Sequence, residues 1–138
     1  MKKQFLVAML LFFVACGCGT KHPGRMSGEV TLDGAPLAMG TVVFHHEKGG
    51  ADAYASTDAG GAYTVRTGTD KGLEPGDYVV TVVAVTGPPP NGKLITPARY
   101  GDVQQSGLKV TVVPGDNRFD IPLRWQKGDR QGNQSRSR

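Results

Sequence analysis

After residue 27 apolar and polar residues alternate along short stretches, separated by Gly, Pro and Asp. A period of two sends successive side chains to opposite faces of a strand, one apolar and one wet. Residues 28–33 set Val30 and Leu32 against Glu29, Thr31 and Asp33, and residues 41–46 put Val42 and Phe44 on one side. Residues 53–57 make a weaker third strand, and Tyr63 and Val65 face inward on a fourth. Residues 77–86 carry the strongest pattern, with Tyr78, Val80, Val82 and Ala84 on one face and Val79, Val83 and Val85 on the other. Two apolar faces predict a central strand covered on both sides. Leu108, Val110 and Val112 mark a sixth strand, and Phe119, Ile121 and Leu123 a seventh. Nothing after residue 27 has a convincing helical period.

The punctuation agrees. Asp33-Gly34 and Pro114-Gly115-Asp116 are turn signals, and residues 72–76 make a Gly/Pro turn. Residues 57–63 read as a tight hairpin in which Asp58 bonds its own backbone and Gly60 or Gly61 takes positive φ. Residues 87–105, with Pro88, Pro89, Pro90 and Pro97, form a long loop without strand pattern, a length often functional or mobile. Seven short strands at this spacing predict one all-β sandwich or barrel over residues 28–124.

The N-terminus follows a different pattern. Lys2 and Lys3 precede an uncharged apolar run over residues 5–15. That run fits the apolar core of an export signal and falls short of the roughly 20 residues that span a bilayer. Residues 1–15 are therefore expected to be a signal peptide. Phe13-Val14-Ala15-Cys16 resembles the lipobox of bacterial lipoproteins, with Ala15 as the small residue before the cut and Cys16 as the lipid acceptor. Phe13 stands where Leu is usual, and Cys18 after Gly17 is a weaker alternative acceptor. A Cys16–Cys18 disulfide would close a strained ring and staple nothing. The resemblance implies a membrane anchor, and the absence of Asp at position 17 favours the outer membrane over the inner. Residues 16–27 read as a flexible tether.

Composition and charge refine this picture. With 20 Gly, 9 Pro and 38% hydrophobic residues in 138, the chain is rich in turns yet apolar enough for one modest core. The net charge of +4 is misleading, because residues 28–124 hold eight basic and eleven acidic side chains. The positive charge lies in the flanks, including Lys127, Arg130, Arg136 and Arg138 of a polar tail over residues 125–138 that is expected to be disordered. A domain without a basic majority argues against nucleic-acid binding.

Candidate chemistry is sparse. His45-His46-Glu47 offers metal-ligand types, but adjacent strand residues face opposite ways. Asp52, Asp58, Asp70 and Asp77 are Ca²⁺-type ligands in no recognised spacing. No nucleophile motif is present, so no catalytic residue, metal or cofactor is assigned. Arg99 and Tyr100 in the long loop, and Trp125 at the end of the domain, are the candidate contacts for a glycan or peptide. The bland alternative has Tyr100 packing over the domain edge and Trp125 capping its base.

Residues 28–37 (GEVTLDGAPL) and 40–44 (GTVVF) resemble the opening of carboxypeptidase-regulatory-like domains. Thr57-Asp58 through Gly61 to Tyr63 is similar to their hairpin, and Gly76-Asp77-Tyr78-Val79-Val80 to a later strand. Pro97 to Tyr100, Ser106 to Leu108 and Gly115 to Asn117 resemble the closing segment of small bacterial lipoproteins of this group. The resemblance implies a seven-stranded Greek-key β-sandwich of transthyretin (prealbumin) type and no chemistry of its own. The expectation is a non-catalytic envelope lipoprotein, a structural, adhesion or binding module for a protein or polysaccharide. The alternatives are a lipoprotein that binds a small ligand or metal through His45, Glu47 or loop carboxylates, and a transthyretin-like hydrolase, whose C-terminal Tyr-Arg-Gly-Ser is missing here.

Overall fold

The computed structural model describes residues 21–129, which form an all-β structure. In chain order the strands are β1 (Gly24–Leu32), β2 (Ala35–Pro36), β3 (Gly40–His46), β4 (Ala53–Ser56), β5 (Ala62–Thr64), β6 (Arg66–Thr67), β7 (Asp70–Lys71), β8 (Gly76–Thr86), β9 (Lys93–Leu94), β10 (Leu108–Val112), β11 (Gly115–Arg118) and β12 (Ile121–Leu123). A 3₁₀ turn over Ala98–Gly101 follows β9. The larger sheet runs β10-β8-β3-β4-β6-β7, with β9 hairpinned onto the end of β8. The smaller sheet is built around β1, which pairs antiparallel with β2 and β5 and parallel with β11 and β12.

The two sheets share one core. Met26, Val30, Tyr63, Ile121 and Leu123 of the smaller sheet meet Val42, Phe44, Tyr78, Val80 and Val82 of the larger, all buried. Phe44 sits between Tyr63 (centroids 6.1 Å) and Tyr78 (6.3 Å, edge-on), the tilted geometry aromatic quadrupoles favour. Tyr63 also donates its hydroxyl to the Phe119 carbonyl, which ties β5 to the C-terminal strands. The arrangement is sandwich-like, with the apolar faces of both sheets turned inward.

All seven expected strands have counterparts, with five differences. First, β1 begins at Gly24, so residues 24–27 are strand and not tether. Met26 is buried, while the inward positions on either side of it are Gly24 and Gly28. A Cβ at Gly28 would lie 2.0 Å from the Phe119 carbonyl oxygen, so close backbone approach requires the glycine and the hydrophobic alternation vanishes there. Second, the turn at residues 57–63 closes locally, Asp58 Oδ1 accepting from the Gly60 and Ala62 amides, but β5 then leaves β4 and pairs with β1. The chain thus crosses between sheets around the buried Val65. Third, the second face of β8 is only partly covered, with Val83 and Val85 exposed. Fourth, the long loop contains β9 and the 3₁₀ turn. Fifth, residues 115–118 continue the last strand along β1. Between β11 and β12 the Asp120 carboxylate takes the Glu29 amide at 3.0 Å in place of a backbone carbonyl.

Residues 1–20 and 130–138 lie outside the described residues. So do the expected signal peptide, Cys16, Cys18, the first part of the expected tether and most of the basic tail.

Candidate functional site

The 3₁₀ turn brings two of the sequence-predicted contacts, Arg99 and Tyr100, against the end of β12, next to the third, Trp125. Tyr100 is buried, and its hydroxyl accepts the Arg124 amide (3.2 Å) and an Arg99 Nη2 hydrogen (2.9 Å). The Arg99 guanidinium lies 4.2 Å above the Tyr100 ring, within cation–π range. It also donates Nη2–H to the Arg124 carbonyl (2.7 Å) and Nε–H to Asp129 (3.2 Å). Asp129 in turn accepts the Gln126 amide, and the Trp125 amide donates to Asp33 at the β1–β2 turn. The polar groups of Arg99 and Tyr100 are thereby spent on fastening residues 124–129 to the domain. Trp125 is half-buried beside them.

A second constellation combines residues the sequence did not join. His45 on β3 places Nδ1 3.1 Å from Asp52 Oδ2 and Nε2 3.1 Å from Thr81 Oγ1 on β8. The order carboxylate, imidazole, hydroxyl is that of a proton relay. Its hydroxyl belongs to a β-branched residue that is 5% exposed, mid-strand and directly opposite Val43. Covalent attack needs an approach to Oγ1 that this burial closes. The bonds instead clasp the β3–β4 loop onto the sheet.

The two adjacent histidines diverge as strand geometry requires. His46 turns to the other face, stacks edge-on against Tyr78 (centroids 4.8 Å) and accepts the Lys48 amide at Nδ1. Burial raises the Tyr78 phenol above its ordinary range, and burial does the same, more strongly, for Tyr63. The four aspartates are dispersed. Asp52 holds His45, Asp58 caps its own turn, Asp70 sits in β7, and Asp77 accepts from Thr111. Among the described residues no group of three or more His, Cys, Asp or Glu is placed to hold a metal ion.

An open groove of about 550 Å³ lies at the corner where the chain crosses between sheets. Tyr54, Ser56, Asp58, Thr64 and Arg66 border it. None of these was singled out as a contact from sequence except Asp58, as a Ca²⁺-type ligand. Tyr54 is 51% exposed and stands opposite Arg66 in the β4–β6 pair.

No family model matches the chain, and no curated protein does. Among the described residues no helix is long and apolar enough to cross a membrane.

Proposed function

We propose that this chain is an exported lipoprotein whose two-sheet domain is a non-catalytic binding module held at the cell envelope. The leader over residues 1–15 is removed, Cys16 carries the lipid, and the outer membrane is the favoured destination. The observation that carries this reading is the sequence Phe13-Val14-Ala15-Cys16 at the end of an uncharged run behind two lysines. Two or more acyl chains give stable anchoring, so a domain beginning at Gly24 would be tethered close to the bilayer. The domain itself is read as a transthyretin-like Greek-key sandwich of the carboxypeptidase-regulatory type, on the ordered motifs of residues 28–44, 57–63 and 76–80. Its partner is an envelope protein or polysaccharide. Arg99 and Tyr100 are assigned to closing the domain, because their side-chain polar groups are engaged within it, and the half-buried Trp125 is assigned with them because its backbone amide is held by Asp33.

Fractionation of expressing bacteria tests the anchor. The wild-type chain is expected in the membrane pellet and released by detergent, and Cys16→Ser is expected in the soluble or uncleaved precursor fraction. A wild-type chain found wholly in the soluble periplasmic fraction would overturn the reading.

A further inference from the structure

The crossing corner carries a row of side chains whose charges the fold does not balance. β4, β6 and β7 lie side by side, with Tyr54 opposite Arg66 and Arg66 opposite Lys71. Directly paired strand residues share a face, with Cβ atoms about 4.5–5.5 Å apart. The row is thus an exposed aromatic ring, a guanidinium and an ammonium on one surface, and like charges directly opposite each other destabilise a strand pair. Three other surface cations are matched, while Lys48, Lys93, Arg124 and Lys127 have no ion-pair partner among the described residues. Arg25 meets Asp116 at 2.6 Å, Lys109 meets Glu47 at 2.9 Å, and Arg118 reaches Asp120 and Glu29. Among the described residues neither Arg66 nor Lys71 has an ion-pair partner, although Asp58 borders the same groove and Asp70 sits beside Lys71.

The cationic strip continues past the row. Lys71 also borders a groove of about 370 Å³ with Lys21, His22 and Asp70. The buried Nδ1 of His22 has no hydrogen-bond partner among the described residues. Lys21, Lys71 and Arg66 therefore outnumber Asp58 and Asp70 along this edge.

We propose that the Tyr54–Arg66–Lys71 row binds an acidic polysaccharide, a chain of sugars bearing carboxylates. This names the ligand class for the binding module proposed above and rests on that reading. The planar guanidinium takes a carboxylate through two parallel N–H bonds, and the lysine takes a second acid group as a point charge. The Tyr54 ring offers an apolar face for a sugar's C–H surface, and the Ser56 and Thr64 hydroxyls lie on the groove wall for hydroxyl contacts. Neighbouring strands are about 4.8 Å apart, so the row runs about 10 Å from Tyr54 to Lys71. A ligand with repeating rings and charges can meet all three side chains at once, and an isolated anion cannot. The shallow, open groove suits a polymer lying across it.

The test uses the full chain with Cys16→Ser, so that lipid attachment plays no part and a failure of the anchoring claim leaves the result intact. Binding to polygalacturonate, to uncharged dextran and to phosphatidylglycerol vesicles is measured by calorimetry and sedimentation. Saturable binding to polygalacturonate and none to dextran is expected. Arg66→Gln should weaken it at least tenfold, Lys71→Gln severalfold, and Tyr54→Ala more than Tyr54→Phe. Arg118→Gln, an equal loss of charge on a matched arginine, should change it less than twofold. These residues are exposed, and circular dichroism checks that each variant folds. No binding to polygalacturonate, or equal weakening by Arg66→Gln and Arg118→Gln, overturns the proposal. Vesicle binding lost in Arg66→Gln without polysaccharide binding also overturns it and makes the row a lipid-facing surface.

Discussion

Replacing Arg99 by Ala measures how strongly the C-terminal segment is fastened. The side chain is 21% exposed and its partner Asp129 11% exposed, so the pair is sheltered but not sealed from water. Exposed pairs contribute about 0–1 kcal/mol, and breaking a fully buried one costs about 3–5 kcal/mol. The bonds to the Tyr100 hydroxyl and the Arg124 carbonyl add roughly 1 kcal/mol each after exchange with water, and the cation–π contact about 0.5–1 kcal/mol. These contributions end on one guanidinium and are not additive, which places Arg99→Ala at about 2–3 kcal/mol. Urea unfolding followed by fluorescence of Trp125, the one tryptophan of the chain, reports from beside the contact. With a urea slope of about 1–3 kcal/mol/M, the midpoint should fall by about 1–2 M. Asp129→Asn should be destabilising too, and the double variant should cost less than the two single changes together. An unchanged midpoint in Arg99→Ala would refute the fastening role and return Arg99 to the pool of free binding residues.

Three further outcomes follow from the packing. Phe44→Ala empties the space between Tyr63 and Tyr78 and should cost about 3–5 kcal/mol in the same unfolding assay. Gly61→Ala should destabilise more than Gly107→Ala in thermal melts. Both positions have positive φ (78° and 65°), a conformation that costs a residue with a Cβ about 1–2 kcal/mol, but only at Gly61 would the Cβ lie 2.5 Å from the Val30 carbonyl oxygen. The pH dependence depends on Tyr63, whose phenol burial holds above its ordinary 10.0 in the folded state. Its contribution is fully present below pH 10 and is lost as pH rises through the folded value, so urea midpoints measured from pH 8 to 11.5 should decline less steeply in Tyr63→Phe than in wild type.

The strands with large inward side chains were legible because Val, Ile, Phe and Tyr write the period of two directly into the sequence. Residues 24–27 were not, since Gly24 and Gly28 occupy inward positions and carry no hydrophobic signal. The crossing at Val65 was also hidden. The local turn chemistry of Asp58 is the same whether the next strand returns to β4 or leaves for β1. Arg99 and Tyr100 stood out as chemistry-bearing loop residues, but their partners lie up to 30 positions away and decide that they face inward. The His45–Asp52–Thr81 clasp depends on the β3–β8 register, which sets Thr81 near a histidine 36 positions earlier. The Tyr54–Arg66–Lys71 row depends on the pairing of β4 with β6 and of β6 with β7, and these last two are two-residue strands too short for any periodicity to announce.

The lipid on Cys16 is the claim on which the functional account depends, and the intact mass of the protein purified from the membrane fraction tests it most directly. The expected mass is that of a chain starting at residue 16 with a diacyl or triacyl addition, unchanged apart from the substitution in Cys18→Ser and lost in Cys16→Ser. A mature chain cut at another position and bearing no acyl mass would contradict it and leave an unanchored secreted domain.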